Sequence, residues 1–324
     1  MAAQYLRSAE YVPAVLRPFR FGVQANGAAD RGSWVALARK AEDLGFAVLT
    51  TADHIRDQFA PTPALMAAAE ATTTLRVGTL VYANDFRHPA VLAMEAATLD
   101  LLSEGRFELG LGAGWMTTDY EQTGIPLDPP GTRVGRLAEA ITVLKGLFAD
   151  GPVDFAGEHY TITGLEGTPK PVQKPHPPIM IGGGGPRVLR LAGSEADIVA
   201  LNFNLAGGQI DASVGPDGTA DRTAEKIGWI REAAGHRFDQ IELHVRIHLA
   251  VVTDDRAALA EQLAPAFGLS PAAALSSPHS LAGTVDQIVD DLIEQRERLG
   301  ISYIGLSADS MDDMAPVIAR LAGT

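Results

Sequence analysis

From Phe19 to Leu321, short apolar runs alternate with longer stretches of helical character, and the pair recurs about eight times. No other feature of this chain narrows its fold as much. The strand-like runs are Phe19–Gln24, Ala47–Thr51, Leu75–Ala83, Phe107–Gly112, Pro178–Ile181, Asp197–Asn202, Ile241–Val252 and Ser302–Leu306. Helices are expected over Ser33–Leu44, with Ser33 as N-cap and Gly45 as stop, and over Thr62–Thr73, Pro89–Leu102 and Val134–Phe148. Further helices are expected over Arg187–Ala192, Thr223–Ala234, Ala257–Phe267, Thr284–Leu299 and Met311–Leu321. Eight βα units in 324 residues suit an α/β chain folded as one (β/α)8 TIM barrel, a single domain over residues 1–324. A doubly wound sheet is the competing arrangement. Its dinucleotide turn needs spaced glycines after the first strand, and Gln24-Ala-Asn-Gly-Ala-Ala29 lacks them.

The rhythm breaks between strands four and five, at about residues 115–177. A Gly- and Pro-rich loop at 115–132 precedes the fourth helix, and Val153–Ile162 alternates like a small hairpin. A connection of that length reads as an insertion, and long insertions near a site are often functional. A second Gly-rich stretch, 207–220, offers little to pack.

Strand five runs into Gly182-Gly-Gly-Gly185 and then Pro186, which can open a helix. Glycines let a backbone approach a ligand closely, and a helix start presents unpaired N–H groups. Such a corner suits a phosphate. Strand seven divides by parity. Leu243, Val245, Ile247 and Leu249 form an apolar face for the helices. Glu242, His244, Arg246 and His248 face the barrel interior, where they pair with each other or, nearest the C-terminal end, with a ligand.

Cysteine is absent, which excludes disulfides and thiolate chemistry, and no His or acidic cluster has metal-ligand spacing. The formal net charge of −14 argues against nucleic acid and anionic membranes as partners. Met1–Phe19 has no apolar signal core and is expected to form an irregular arm or surface strand of a cytoplasmic protein.

Several ordered motifs are similar to the bacterial-luciferase-like superfamily, and within it to the oxidoreductases that use the deazaflavin coenzyme F420. They are Ala41-Glu-Asp-Leu-Gly-Phe46, Thr51-Ala-Asp-His54, Leu75-Arg-Val-Gly-Thr-Leu-Val81, Phe86-Arg-His-Pro89 and Thr98-Leu-Asp-Leu-Leu-Ser-Glu-Gly-Arg106. Leu109-Gly-Leu-Gly-Ala-Gly-Trp115, Arg133-Val-Gly-Arg-Leu-Ala-Glu139 and Ile181-Gly-Gly-Gly-Gly-Pro186 continue the series. The resemblance implies a barrel with an insertion after the fourth strand and F420, or alternatively FMN, across its C-terminal mouth. It implies phosphate binding by Gly182, Gly183, Gly184 and Gly185. Asp53 and His54 would lie beside the ring, with His54 catalytic, and a cis peptide would join Leu80 to Val81. Thr79, Asn84, Ala113, Gly114 and Trp115 would complete the ring site.

Trp115 stands where the glucose-6-phosphate dehydrogenases of this family carry a Glu. That puts sugar-phosphate oxidation in doubt and suits an apolar or flat substrate. Lys170, Lys174, Arg187 and Arg190 flank the glycine corner in sequence and could meet the anionic tail of F420. The expected activity is hydride transfer between F420 and a small organic substrate. The alternatives are an FMN-dependent two-component monooxygenase and a noncatalytic flavin- or deazaflavin-binding protein. The resemblance also implies a homodimer and a separate cofactor-reducing enzyme.

Overall fold

The computed structural model describes residues 16–324, so most of the expected N-terminal arm lies outside the described residues. Eight strands form the barrel: β1 (Arg20–Gln24), β2 (Val48–Thr51), β3 (Arg76–Thr79), β4 (Phe107–Gly112), β5 (Ile179–Gly183), β6 (Ile198–Leu201), β7 (Glu242–Arg246) and β8 (Ile301–Ser307). Every neighbouring pair is parallel. β8 returns to β1, with Arg20 opposite Tyr303 and Gln24 opposite Ser307, and the β3–β4 pairing through Val77 and Phe107 completes the closure.

The helices that follow these strands are α1 (Arg31–Asp43), α2 (Pro61–Ala71), α3 (Pro89–Leu102), α4 (Pro130–Phe148), α5 (Pro186–Glu195), α6 (Ala220–Ala234), α7 (Val285–Leu299) and α8 (Met311–Leu321). Their apolar stripes meet the outward residues of the strands. Ile288, Val289, Leu292 and Leu299 of α7 are buried, a 3.6-residue spacing that presents one face to the sheet. Phe21, Val23, Leu109, Leu111, Ile181 and Val245 are buried from the sheet side. Each such side chain contributes about 1.5–3 kcal/mol on burial. No helix among the described residues is long and apolar enough to cross a membrane.

Several local expectations are corrected. α1 is capped by Asp30, whose carboxylate accepts the Ser33 N–H at 2.7 Å, so Ser33 lies inside the helix. The third apolar run breaks after Thr79 at a cis Leu80–Val81 peptide, and Tyr82–Ala83 then pairs with β4. The seventh run leaves the barrel after Arg246. Ile247 still donates to Gly305 O, but His248 N turns to His279 O, and Leu249–Val252 pairs with Ser280–Gly283 in a separate two-stranded sheet. Leu249 therefore does not continue the apolar face of β7.

Residues 115–132 contain a helix, Thr117–Thr123, stopped by Gly124 in the left-handed region. The hairpin is present as Pro152–Ala156 against Thr161–Glu166. The Gly-rich stretch packs more than its composition suggests: Val214 and Gly215 are buried in a 3-10 turn, Ala212–Gly218. Lys226 of α6 holds that turn, with Nζ on Asp217 Oδ2 at 2.5 Å and on Asn202 O at 2.8 Å.

Inside the barrel, the N-terminal end is closed by ions. Glu108 accepts from Arg20 at 2.9 Å and from Arg76 at 2.7 Å, and Arg20 also reaches Glu242 at 3.1 Å. Burial alone would raise the Glu108 pKa, but the two guanidiniums outweigh it and hold the carboxyl below its ordinary value. Above this layer Tyr303 and His244 meet edge to face at 4.5 Å between centroids. Gly22 and Gly305 face them: a Cβ on Gly22 would lie 2.9 Å from the Tyr303 ring, and one on Gly305 would collide with His244. Small residues opposite large ones fill the barrel, so any open space lies at the other end.

Candidate active site at the C-terminal mouth

A cavity of about 570 Å³ opens at the C-terminal ends of the strands. That size suits a small-molecule or cofactor site. It brings together His54 and Asp53 after β2, Leu80 and Val81 after β3, Ala113, Gly114 and Trp115 after β4, and Gly182 to Gly185 at the end of β5. Thr79 and Asn84 do not line it. Thr79 Oγ1 is turned into the sheet, donating to Gly110 O at 2.8 Å and accepting from Gly110 N at 3.0 Å. Asn84 is buried and donates to Tyr160 OH at 3.2 Å, which ties the barrel to the loop of the hairpin. Asp53 borders the cavity, but its carboxylate is occupied by Arg87 at 2.6 Å and by the Ala83 N–H at 3.0 Å. It fixes the β3–α3 connection.

The glycine corner has the expected form. Gly185 precedes α5, Pro186 opens the helix, and no side chain caps it. Leu189 N closes on Gly185 O at 3.1 Å. Among the described residues the N–H groups of Gly184, Gly185, Arg187 and Val188 have no acceptor. Donors left open at a helix start beside a cavity fit an anionic group. Space is needed for two reasons. A Cβ on Gly184 would strike the Phe203 carbonyl and one on Gly183 would strike Val188, both within the fold. A Cβ on Gly185 would meet nothing closer than Asn204 Oδ1 at 3.6 Å.

Of the four basic residues expected near this corner, only Arg187 borders the cavity. Arg190 lies outside and approaches Glu232 at 3.7 Å. Lys170 donates to Leu147 O and Ala149 O at the C-terminal end of α4, on the opposite side of the barrel. Lys174 follows Gln173, which is tied to Phe107 O at the start of β4. Both lysines precede β5 and enter the barrel from its lower end.

His54 faces the cavity with its Nδ1 only 2.7 Å from Asp119 Oδ2. Trp115 packs against the same imidazole edge to face at 5.5 Å. Gly114 makes that turn possible: its φ is +75°, and a Cβ there would collide with the Tyr120 hydroxyl. Arg133 of α4 donates to the carbonyls of Ala113 and Gly114 and so pins the β4 loop.

Arg246 reaches the cavity from β7. Its acceptors are neutral: Gln24 Oε1 at 2.7 Å, Ser307 Oγ at 2.6 Å, Gly305 O at 3.2 Å and Ile247 O. Burial without a carboxylate brings its pKa down to about 10, so it remains a cation at neutral pH. His248 lies flat on Phe203 at 4.6 Å, and Phe203 also borders the cavity.

Asp119 and Phe203 have no place in the sequence reading, and Arg133 enters it only as the first residue of the Arg133–Glu139 motif, with no role assigned. Thr117-Thr-Asp-Tyr followed by the Gly124 stop is a short-helix signature that could have placed Asp119. Phe203 carries no comparable local signal.

The fold and this mouth define a TIM-barrel enzyme with an open cavity at the C-terminal ends of its strands. Residues 14–302 match the luciferase-like monooxygenase family, and the chain belongs to that family. It is an oxidoreductase of the luciferase-like type. It is 29% identical over 233 residues to an F420-dependent glucose-6-phosphate dehydrogenase of Amycolatopsis mediterranei (strain U-32), an alignment covering 69% of this chain and 67% of that protein. The structure is similar to a coenzyme F420-dependent tetrahydromethanopterin reductase from Methanopyrus kandleri, with TM-score 0.74 at 19% identity, over 94% of this chain and 98% of that one. It is also similar to a long-chain alkane monooxygenase, with TM-score 0.75 at 15% identity, over 95% of this chain and 92% of that one.

Proposed function

We propose that this chain is an F420-dependent oxidoreductase that moves a hydride between the deazaflavin and a small, mainly apolar organic substrate. The observation that carries this reading is the row of open backbone donors from Gly184 to Val188, which borders the same cavity as His54. When bound, F420 supplies a ring carbon that accepts or gives up hydride. Gly182 to Gly185 and the first turn of α5 hold its phosphate. Leu80, Val81, Ala113 and Gly114 flank the ring. Arg246 places a fixed positive charge at the barrel end, where it favours electron-rich groups of the ring or substrate.

His54 keeps one ring nitrogen, Nε2, for the substrate, and there it can take or give the proton that accompanies hydride transfer. Trp115, Phe86, Met116 and Ile210 border the cavity and exclude water from that step. This wall, and the absence of a carboxylate at position 115, stand against a sugar phosphate as substrate. Exposed Val91, Met94, Leu101 and Leu102 on α3 support assembly as a homodimer. A separate F420-linked enzyme would restore the cofactor.

An FMN-dependent two-component monooxygenase is the second reading. It is favoured by the small number of basic residues at the corner, since of the four expected there Arg187 alone borders the cavity among the described residues. Anaerobic incubation with F420 and a panel of alcohols and ketones, followed by deazaflavin absorbance, tests the proposal. Turnover without oxygen supports it. Turnover only with reduced FMN and oxygen overturns it.

A further inference from the structure

Most carboxylates near the mouth are committed to arginines. Asp53 belongs to Arg87, and Asp85 belongs to Arg136 at 2.7 Å and to the Tyr120 hydroxyl at 3.0 Å. Asp119 differs. Its side chain is 4% exposed, and its ion-pair partner among the described residues is His54, 14% exposed. Its two oxygens divide the work, Oδ2 on His54 Nδ1 at 2.7 Å and Oδ1 on the Ile55 N–H at 3.1 Å. The helix that carries it is anchored as well: Thr123 Oγ1 donates to Asp119 O at 2.6 Å, and the Asp119 N–H bonds Met116 O at 3.1 Å. One buried carboxylate, delivered by the β4 loop, thus fixes both the backbone after β2 and the imidazole that this backbone presents.

We propose that Asp119 is the positioning residue of His54. The carboxylate accepts only, so it selects the neutral tautomer with hydrogen on Nδ1 and leaves the Nε2 lone pair toward the cavity. It also stabilises the imidazolium formed when Nε2 takes a proton. Trp115, edge on to the ring, blocks rotation away from this orientation. The catalytic consequence rests on the F420 reading above. In alcohol oxidation Nε2 would take the proton released as the substrate O–H bond breaks, while a bound oxidised deazaflavin would take the hydride released from the C–H bond. A C=O bond forms. The reverse direction returns both.

The positioning claim is testable without cofactor or substrate. Long-range 1H–15N NMR of the imidazole in the ligand-free protein at alkaline pH reads the tautomer directly. The parent is expected to carry hydrogen on Nδ1. In Asp119→Asn, whose amide can donate to Nδ1, the Nε2–H form gains population. With a turned-over substrate, kcat is expected to fall at least about tenfold and KM to change less than about threefold, because the step lost is proton transfer rather than binding. Asp119→Glu keeps the acceptor and is expected to recover the Nδ1–H tautomer and part of kcat, and it serves as the NMR comparison if the Asn variant fails to fold. A parent protein with hydrogen on Nε2 would overturn the proposal. So would an unchanged tautomer in Asp119→Asn, or equal losses of kcat in the Asn and Glu variants with the tautomer untouched. If neither parent nor variants react with F420, the functional reading fails, and the tautomer measurement still decides the role of Asp119.

Discussion

The two ends of the barrel treat charge in opposite ways. At the N-terminal end, the buried Glu108 and the half-buried Arg20, Arg76 and Glu242 form one cluster in which each charge faces its opposite. At the C-terminal end, Arg246 is surrounded by neutral acceptors, the start of α5 has open donors, and the carboxylate on His54 accepts a hydrogen bond from the imidazole instead of pairing with an arginine. A barrel needs to be plugged at only one end. Groups left unpaired at the other end are costly unless a ligand meets them. The contrast separates residues that hold the barrel closed from residues that handle ligand.

The largest effect is expected from opening the plugged end. Glu108→Ala removes the buried carboxylate on which the partly buried guanidiniums of Arg20 and Arg76 converge and should cost about 3–5 kcal/mol of stability. Urea unfolding measures it, and a loss below about 1 kcal/mol would mean that the ion cluster is not what closes this end. Next is acid. His244 and His279 are fully buried, and desolvation holds their pKa values at about 3 and about 4. Unfolding frees them to take protons near their ordinary value of 6.5, so the unfolded state binds more protons as pH falls below 6.5. Stability is therefore complete above that pH and is lost toward the folded-state values. Between neutral pH and pH of about 5 the loss should be on the order of 2–4 kcal/mol. Equal melting temperatures across that window would contradict the burial of these two imidazoles.

At the mouth, His54→Ala should lower turnover about 100-fold or more while cofactor affinity changes less. Unchanged turnover on a confirmed substrate would remove His54 from the chemistry. The smallest effect is expected at Gly185, where a side chain fits the fold but its charge would face the phosphate. Gly185→Asp should weaken binding of a phosphorylated cofactor about tenfold, or about 1.4 kcal/mol, with the circular dichroism spectrum unchanged. Equal binding would place the phosphate elsewhere. Gly184 is a poor probe, because any Cβ there collides with the Phe203 carbonyl whether or not ligand is bound.

The plugged end and the mouth also differ in how far the sequence reveals them. Strand and helix order was legible because period-two and period-3.6 patterns are local, and α3, β4 and α8 run as their patterns indicate. The glycine corner was legible because glycines before a helix-opening proline have few other uses. Asp119 was not, because its meaning lies in a contact across 65 residues that sequence separation hides. Lys170 and Lys174 misled for the converse reason. They are close to the corner along the chain, but β5 carries the chain from one end of the barrel to the other before the glycines are reached. The break after Arg246 was hidden by an alternation that continues through His248 and Leu249, although the hydrogen-bond partner of the backbone changes there.

The open donors after β5 are proposed to hold the phosphate of a deazaflavin. Direct titration of the ligand-free protein with F420 and with FMN at physiological salt tests it most simply. Saturable binding of both is expected, with F420 the tighter, and a weakening of both in Gly185→Asp. Binding of FMN about tenfold tighter than F420, or no saturable binding of F420, would contradict it.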